Sequence, residues 1–208
     1  MKKIKLLFAA ALFIHASSTF AGREILNVST MVGDYVTSNP GFETIIAHPV
    51  DIDSNLDGTP EGFKFSLDVY KMGTNTKLFS TPEQSFVVCP NGISFSGPST
   101  FQKRISNTLI WYIDNQGLTC KNTTDKPLMA IIYAVNLSAQ GKTPWVKTFT
   151  DQSNGIGILP DINKNGVGEL LVRNVTTNGK SYNFYIFDGE TGAALAAPKA
   201  YPTYSFVN

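Results

Sequence analysis

Two stretches of this chain place oxygen donors at alternate positions. Asp53-Ser54-Asn55-Leu56-Asp57-Gly58-Thr59-Pro60-Glu61 and Asp161-Ile162-Asn163-Lys164-Asn165-Gly166-Val167-Gly168-Glu169 share the pattern D-x-N-x-[DN]-G-x-x-E. A hard cation such as calcium takes about six to eight oxygen ligands, and this spacing supplies them. Side-chain oxygens at the first, third and fifth positions of a tight loop converge on one point. Glycine at the sixth allows the sharp turn. A backbone carbonyl at the seventh and a carboxylate at the ninth complete the shell. The expected calcium ligands are therefore Asp53, Asn55, Asp57, Thr59 and Glu61 in the first loop. In the second they are Asp161, Asn163, Asn165, Val167 and Glu169. The twelfth positions hold Lys64 and Val172, so neither loop has the bidentate glutamate of an EF-hand. The alternative for each is an Asx-rich turn that holds no metal. The second loop has two carboxylates against three in the first, and Lys164 opposes a cation. Asp51, just outside the first loop, adds charge in its favour.

The elements that must hold these loops read as strands. Phe63 to Tyr70 alternates apolar and polar residues, the period of a half-buried strand. Thr108–Ile113, Leu128–Val135 and Tyr182–Phe187 are continuous apolar runs, as expected for strands buried on both faces. Shorter candidates are Phe86–Val88, Trp145–Phe149 and Leu170–Val175. Turn clusters punctuate them at Ser38-Asn39-Pro40-Gly41, Pro90-Asn91-Gly92, Asn115-Gln116-Gly117, Asn178-Gly179 and Asp188-Gly189. The pattern predicts an all-β domain over 22–208, built as a sandwich, barrel or propeller. Ala193–Ala197 is the one short stretch that could turn helical.

The first twenty-one residues read as an export signal. Lys2, Lys3 and Lys5 precede an apolar run from Leu6 to Ile14, and Thr19-Phe20-Ala21 offers a cleavage site. The run is shorter than the roughly 20 residues that span a bilayer, and no later segment is long enough. The expected location is the periplasm, the cell surface or outside the cell. Cleavage leaves fourteen basic residues against sixteen acidic ones, a balance that gives nucleic acid no electrostatic footing. Cys89 and Cys120 are the only cysteines. In an oxidising compartment they are expected to pair, contributing about 3 kcal/mol; two buried thiols are the alternative.

The two loops, each followed by an apolar strand, resemble the FG-GAP/VCBS type of repeat, which forms β-propeller blades in integrin α-chains and many bacterial surface proteins. Tyr185-Ile186-Phe187-Asp188-Gly189-Glu190-Thr191-Gly192 is similar to the hairpin that follows such a loop. Tyr133 to Lys142 ahead of Trp145, and more loosely Val69 to Phe79, resemble it too. The resemblance implies three blade-like units, over 44–88, 106–150 and 155–204. The middle unit keeps only a trace of a loop at Asp125-Lys126-Pro127. Three blades do not close an ordinary ring. The chain is then an open blade array, part of an assembly of its own copies, or a β-sandwich.

Catalytic chemistry finds little support. After export His48 is the only histidine. Ser94 and Ser96 lie in GISFSG, which is not the G-x-S-x-G elbow. Paired-carboxylate hydrolysis stays open. Trp111, Tyr112, Trp145, Tyr182, Phe184 and Tyr185 either fill the sheet core or line a sugar- or protein-binding surface. Tyr201 and Tyr204 are the aromatics expected to be exposed. The expectation is an exported, non-catalytic, calcium-binding repeat protein that binds a protein or a carbohydrate. One alternative is a small secreted hydrolase or lyase using the calcium site, with Asp51 and His48 beside the first loop as its only hint. The other is a structural surface or secretion-system component that forms homo-oligomers.

Overall fold

The structure, a computed structural model, describes residues 30–95, 99–115, 117–137, 144–150, 153–175 and 181–202. The expected export signal, His15, Ser96, the Asn178-Gly179 turn, Tyr204 and residues 138–142 of the Tyr133–Lys142 hairpin lie outside these residues. The fold is all-β. The first sheet contains β1 (Met31–Gly33), β2 (Glu43–Ile52), β3 (Gly62–Lys71), β4 (Lys77–Ser80) and β5 (Gln84–Val87). Next come β6 (Ile93–Phe95), β7 (Ser99–Ile105), β8 (Thr108–Asp114), β9 (Thr119–Cys120), β10 (Ala130–Asn136) and β11 (Trp145–Phe149). The chain ends with β12 (Ser153–Leu159), β13 (Glu169–Val175), β14 (Ser181–Asp188) and β15 (Lys199–Pro202).

Every pairing is antiparallel, and the order within each large sheet follows the chain. The first sheet runs β1-β2-β3-β4, with β5 extending the β4 side of β3; the middle sheet runs β7-β8-β10-β11; the last runs β12-β13-β14-β15. Each is a meander. β6 and β9 form a separate two-stranded ladder. None of the sheets closes on itself. No helix among the described residues is long and apolar enough to cross a membrane.

The sheets stack face to face, and alternation along the strands dictates how. In β3, Phe63, Phe65, Leu67 and Val69 point one way and meet Leu109, Trp111, Ile113, Ile131 and Tyr133 of the middle sheet. The ring of Phe65 lies edge-on to Tyr133, with centroids 4.9 Å apart. The opposite face of the middle sheet presents Ile110, Tyr112, Ile132 and Ala134 to Leu170, Val172 and Phe187 of the last. The middle sheet is thus covered on both sides, and β8 and β10 are buried along all but their final residue. Burial pushes the Tyr133 phenol up to about 12, and its hydroxyl donates to Thr81 Oγ1 at 2.7 Å.

Two local expectations need correction. Tyr182–Phe187 is not buried on both faces: β14 belongs to an end sheet and is half-buried over most of its length. Its apolar run matches that of β8, but only packing decides which sheet lies in the middle. Ala193–Ala197 is not helical. Its backbone pairs with β14 instead: Asp188 N–H donates to the Ala193 carbonyl, Leu195 N–H to that of Ile186, and Ala194 bridges Phe187. Trp111 and Tyr112 are core residues. Cys89 and Cys120 form a disulfide.

Candidate functional site

The two loops fold alike. In the first, Asp53 accepts the amides of Asp57 and Gly58 at 3.2 and 2.9 Å. Asn55 Oδ1 accepts Asp57 N–H, and Asp57 Oδ1 accepts Thr59 N–H. In the second, Asp161 accepts the amides of Asn165 and Gly166 at 3.1 and 2.8 Å. Asn163 Oδ1 accepts Asn165 N–H, and Asn165 Oδ1 accepts Val167 N–H. The backbone agrees as well. Position four is left-handed in both (Leu56 φ 59°, Lys164 φ 63°), as is the glycine at position six (Gly58 φ 79°, Gly166 φ 88°). A non-glycine residue in that region is held there at a cost of about 1–2 kcal/mol. The side-chain-to-amide hydrogen bonds around it offset this cost.

The ninth-position glutamates turn back to the loop entrance. Glu61, buried, accepts Ser54 N–H at 2.8 Å. Glu169, also buried, accepts the amides of Ile162 and Asn163 at 2.8 and 3.2 Å. Each loop is therefore a ring of oxygens wound on its own amides.

Beyond this shared frame the loops diverge. In the first, Lys121 reaches across to Asp57, its ammonium 2.9 Å from Oδ2. That contact holds the Asp57 carboxyl below the usual carboxylate range. Lys121 follows Cys120, whose bond to Cys89 carries it to the loop; Ile93 N–H on Pro60 O and Lys121 N–H on Gly92 O lock the same region. In the second loop the neighbour is an acid. Asp188 Oδ2 accepts Nδ2 of both Asn163 and Asn165, while Oδ1 takes the Thr191 hydroxyl and the amides of Glu190 and Thr191. Burial pushes the Asp188 carboxyl up. The hydrogen bonds from Thr191, Asn163 and Glu190 outweigh it, and the net direction is down. With Asp188 holding each Nδ2, each asparagine Oδ1 faces into the loop. Gly189 makes this contact possible, since a Cβ there would lie 2.2 Å from the Gly168 carbonyl oxygen.

The loops also lie at opposite ends of the stack. The first joins β2 to β3, the second and third strands of its meander, while the second joins β12 to β13, the first and second. Leu128 N–H on Val88 O and Lys121 on Asp57 place the first loop at the Asp114 end of β8. Asn136 on Glu190 places the second at the Thr108 end. In the first sheet the topological counterpart of the second loop is the link over 34–42. There Glu43, fully buried, opens β2 and accepts the amides of Tyr35 and Val36 and the side-chain amide of Asn39. In the middle sheet the same place is the Ser106-Asn107 turn. The Asp125-Lys126-Pro127 trace shares the end of the first loop.

His48 and Asp51 do not form a site. They alternate to opposite faces of β2, and His48 Nε2 lies 3.1 Å from Asp68. Asp68 also takes Lys77 at 2.8 Å and the Ser80 hydroxyl at 2.6 Å. Among the described residues no three His, Cys, Asp or Glu side chains converge as a metal group. The glutamates are turned to backbone amides and Asp57 to Lys121.

Asp188, Glu43 and Lys121 were not among the residues expected here. Asp188 carried a signal, the D-G-x-T turn after a strand. Glu43 followed the Ser38–Gly41 turn cluster. Lys121 had no local signal, because long-range contacts, the disulfide and the β6–β9 pairing, bring it to the loop. No protein-family model, curated protein or solved structure matches this chain.

Proposed function

We propose that this is an exported, non-catalytic β-repeat protein whose two loops bind calcium and whose stacked sheets form a partial propeller presenting a binding surface to a protein or carbohydrate. The observation that carries the reading is the common frame of the loops. Two segments about a hundred residues apart in sequence and at opposite ends of the stack wind the same oxygens around the same amides. Calcium needs few carboxylates when neutral oxygens complete its shell. Each asparagine Oδ1 accepts one amide and keeps a second lone pair for a cation. The carbonyls of Thr59 and Val167 supply the seventh-position oxygens. A bound ion would tie each strand entrance to the strand that follows.

Thermal unfolding of the exported chain in excess calcium and then in excess chelator tests this. Binding to the native state alone raises stability by about 2.7 kcal/mol at a hundredfold excess over Kd. Asp53→Ala and Asp161→Ala should each remove part of that gain. Equal stability in calcium and chelator would leave both segments as turns and overturn the reading.

A further inference from the structure

Calcium affinity in a ring of oxygens follows the charge of its ligands and the rigidity with which they are held. Here both are set partly from outside the nine residues of each loop. In the first loop the Lys121 ammonium lies 2.9 Å from Asp57 Oδ2 and 3.4 Å from Thr59 Oγ1. Asp57 Oδ1 takes Thr59 N–H at 2.8 Å, so both oxygens of this ligand are engaged, one of them by a cation. Asn55 is exposed, and among the described residues its Oδ1 is held by Asp57 N–H alone. In the second loop Asp188, 3% accessible, takes the side-chain amides of Asn163 and Asn165 on one oxygen. That holds both Oδ1 atoms toward the ring and draws electron density onto them. Lys164 is exposed and forms no ion pair among the described residues. Around the first ring, then, stand Asp53, Asp57 and Glu61 with one paired ammonium. Around the second stand Asp161, Glu169 and Asp188 with no paired ammonium.

We infer that Asp188 and Lys121 set the order in which the loops take calcium: the second loop is the tighter site, and the first yields Asp57 to calcium only as Lys121 withdraws. This rests on the calcium reading proposed above and adds a rank to it. The rank is the reverse of the one that carboxylates counted within each loop give. Asp188 is a positioning residue, acting through Asn163 and Asn165. Lys121 is a built-in competitor, a tethered cation that stands in for part of the ion's charge while calcium is scarce. At intermediate calcium the entrance to β13 is tied by the ion and the entrance to β3 still by Lys121. The two effects differ in size. An exposed ion pair such as Lys121–Asp57 shifts an equilibrium by about two- to fivefold. A buried partner that orients metal ligands is worth about ten- to a hundredfold in affinity.

The test is calcium titration of the exported chain by isothermal calorimetry, one loop at a time. Asp53→Ala leaves the second loop to report, and Asp161→Ala leaves the first. The Asp53→Ala chain is expected to bind calcium more tightly than the Asp161→Ala chain. Adding Lys121→Ala to Asp161→Ala should tighten the first loop about two- to fivefold, a gain that damage to the fold does not produce. Adding Asp188→Asn to Asp53→Ala should loosen the second loop about tenfold or more. Hydrogen exchange at the Asn165 and Gly166 amides in chelator should stay as it was, which separates positioning of the ligands from folding of the loop. If Asp188→Asn does not fold, the comparison of the two single-loop chains and the Lys121→Ala gain still decide. Equal affinities, a tighter first loop, or a first loop that Lys121→Ala leaves unchanged would each overturn this inference and leave the calcium reading intact. Absence of calcium binding in wild type and every variant would overturn that reading, and this inference with it.

Discussion

The loops at 53–61 and 161–169 are nearly the same object in two settings. They share donors, acceptors and left-handed positions, so their internal geometry is a local property of nine residues. Their neighbours differ. Both are exposed over most of their length, but the first has a lysine brought to it beside a disulfide, while the second leans on a buried aspartate that holds both asparagine amides. One is backed by a cation and the other by an anion. A local motif thus specifies a turn and its oxygens. It does not specify the place of that turn in a meander, or the charge that stands behind it.

The largest effect expected from that difference follows from removing the disulfide. Cys89→Ser with Cys120→Ser opens a loop closed over a separation of 31 residues, which costs about 3–4 kcal/mol in chain entropy. The damage should be one-sided. Hydrogen exchange at the Asp57 and Gly58 amides should rise above that at Asn165 and Gly166. Equal rises would break the contrast between the settings.

Next in size is the buried acid. Asp188→Ala strands the side-chain amides of Asn163 and Asn165 and the Thr191 hydroxyl, and should cost about 2–3 kcal/mol in chemical denaturation. Lys121→Ala, which removes an exposed partner, should be nearly silent in the same assay. If the two cost the same, the distinction between a buried and an exposed counter-group fails.

The smallest effect separates loop carboxylates from sheet carboxylates. Burial pushes the Asp68 carboxyl up, but the hydrogen bonds from Lys77 and Ser80 and the charges of His48 and Lys77 outweigh it. A carboxyl lowered by folding contributes stability that is complete above its unfolded pKa. That stability is lost as pH falls through the ordinary carboxylate range toward the folded value. Asp68→Asn should therefore flatten the acid limb of a stability-against-pH curve and leave the loop amides unmoved in exchange. An unchanged acid limb would mean that the Asp68 cluster contributes nothing.

Much of the local structure was legible. Alternation in Phe63–Tyr70 and the apolar runs of Thr108–Ile113 and Leu128–Val135 appear as β3, β8 and β10. The left-handed glycines of the loops follow from their place in the pattern. Tyr182–Phe187 shows where legibility stops. An apolar run states that a strand can be buried on both faces, not that a second sheet will arrive to bury it. Ala193–Ala197 fails for a related reason: β14 offered its backbone a closer set of partners than a single helical turn.

What the sequence determined by itself was therefore short-range: strands of period two, turns at Asn, Gly and Pro, and two loops whose side chains reach amides at most seven residues away. These need only covalent neighbours and hydrogen-bond reach. The tertiary structure decided which sheet lies in the middle, that the loops point to opposite ends, and that Lys121 and Asp188 stand beside them. Those outcomes depend on contacts between residues far apart in the chain, such as the 31-residue span of the disulfide, and no local spacing encodes them.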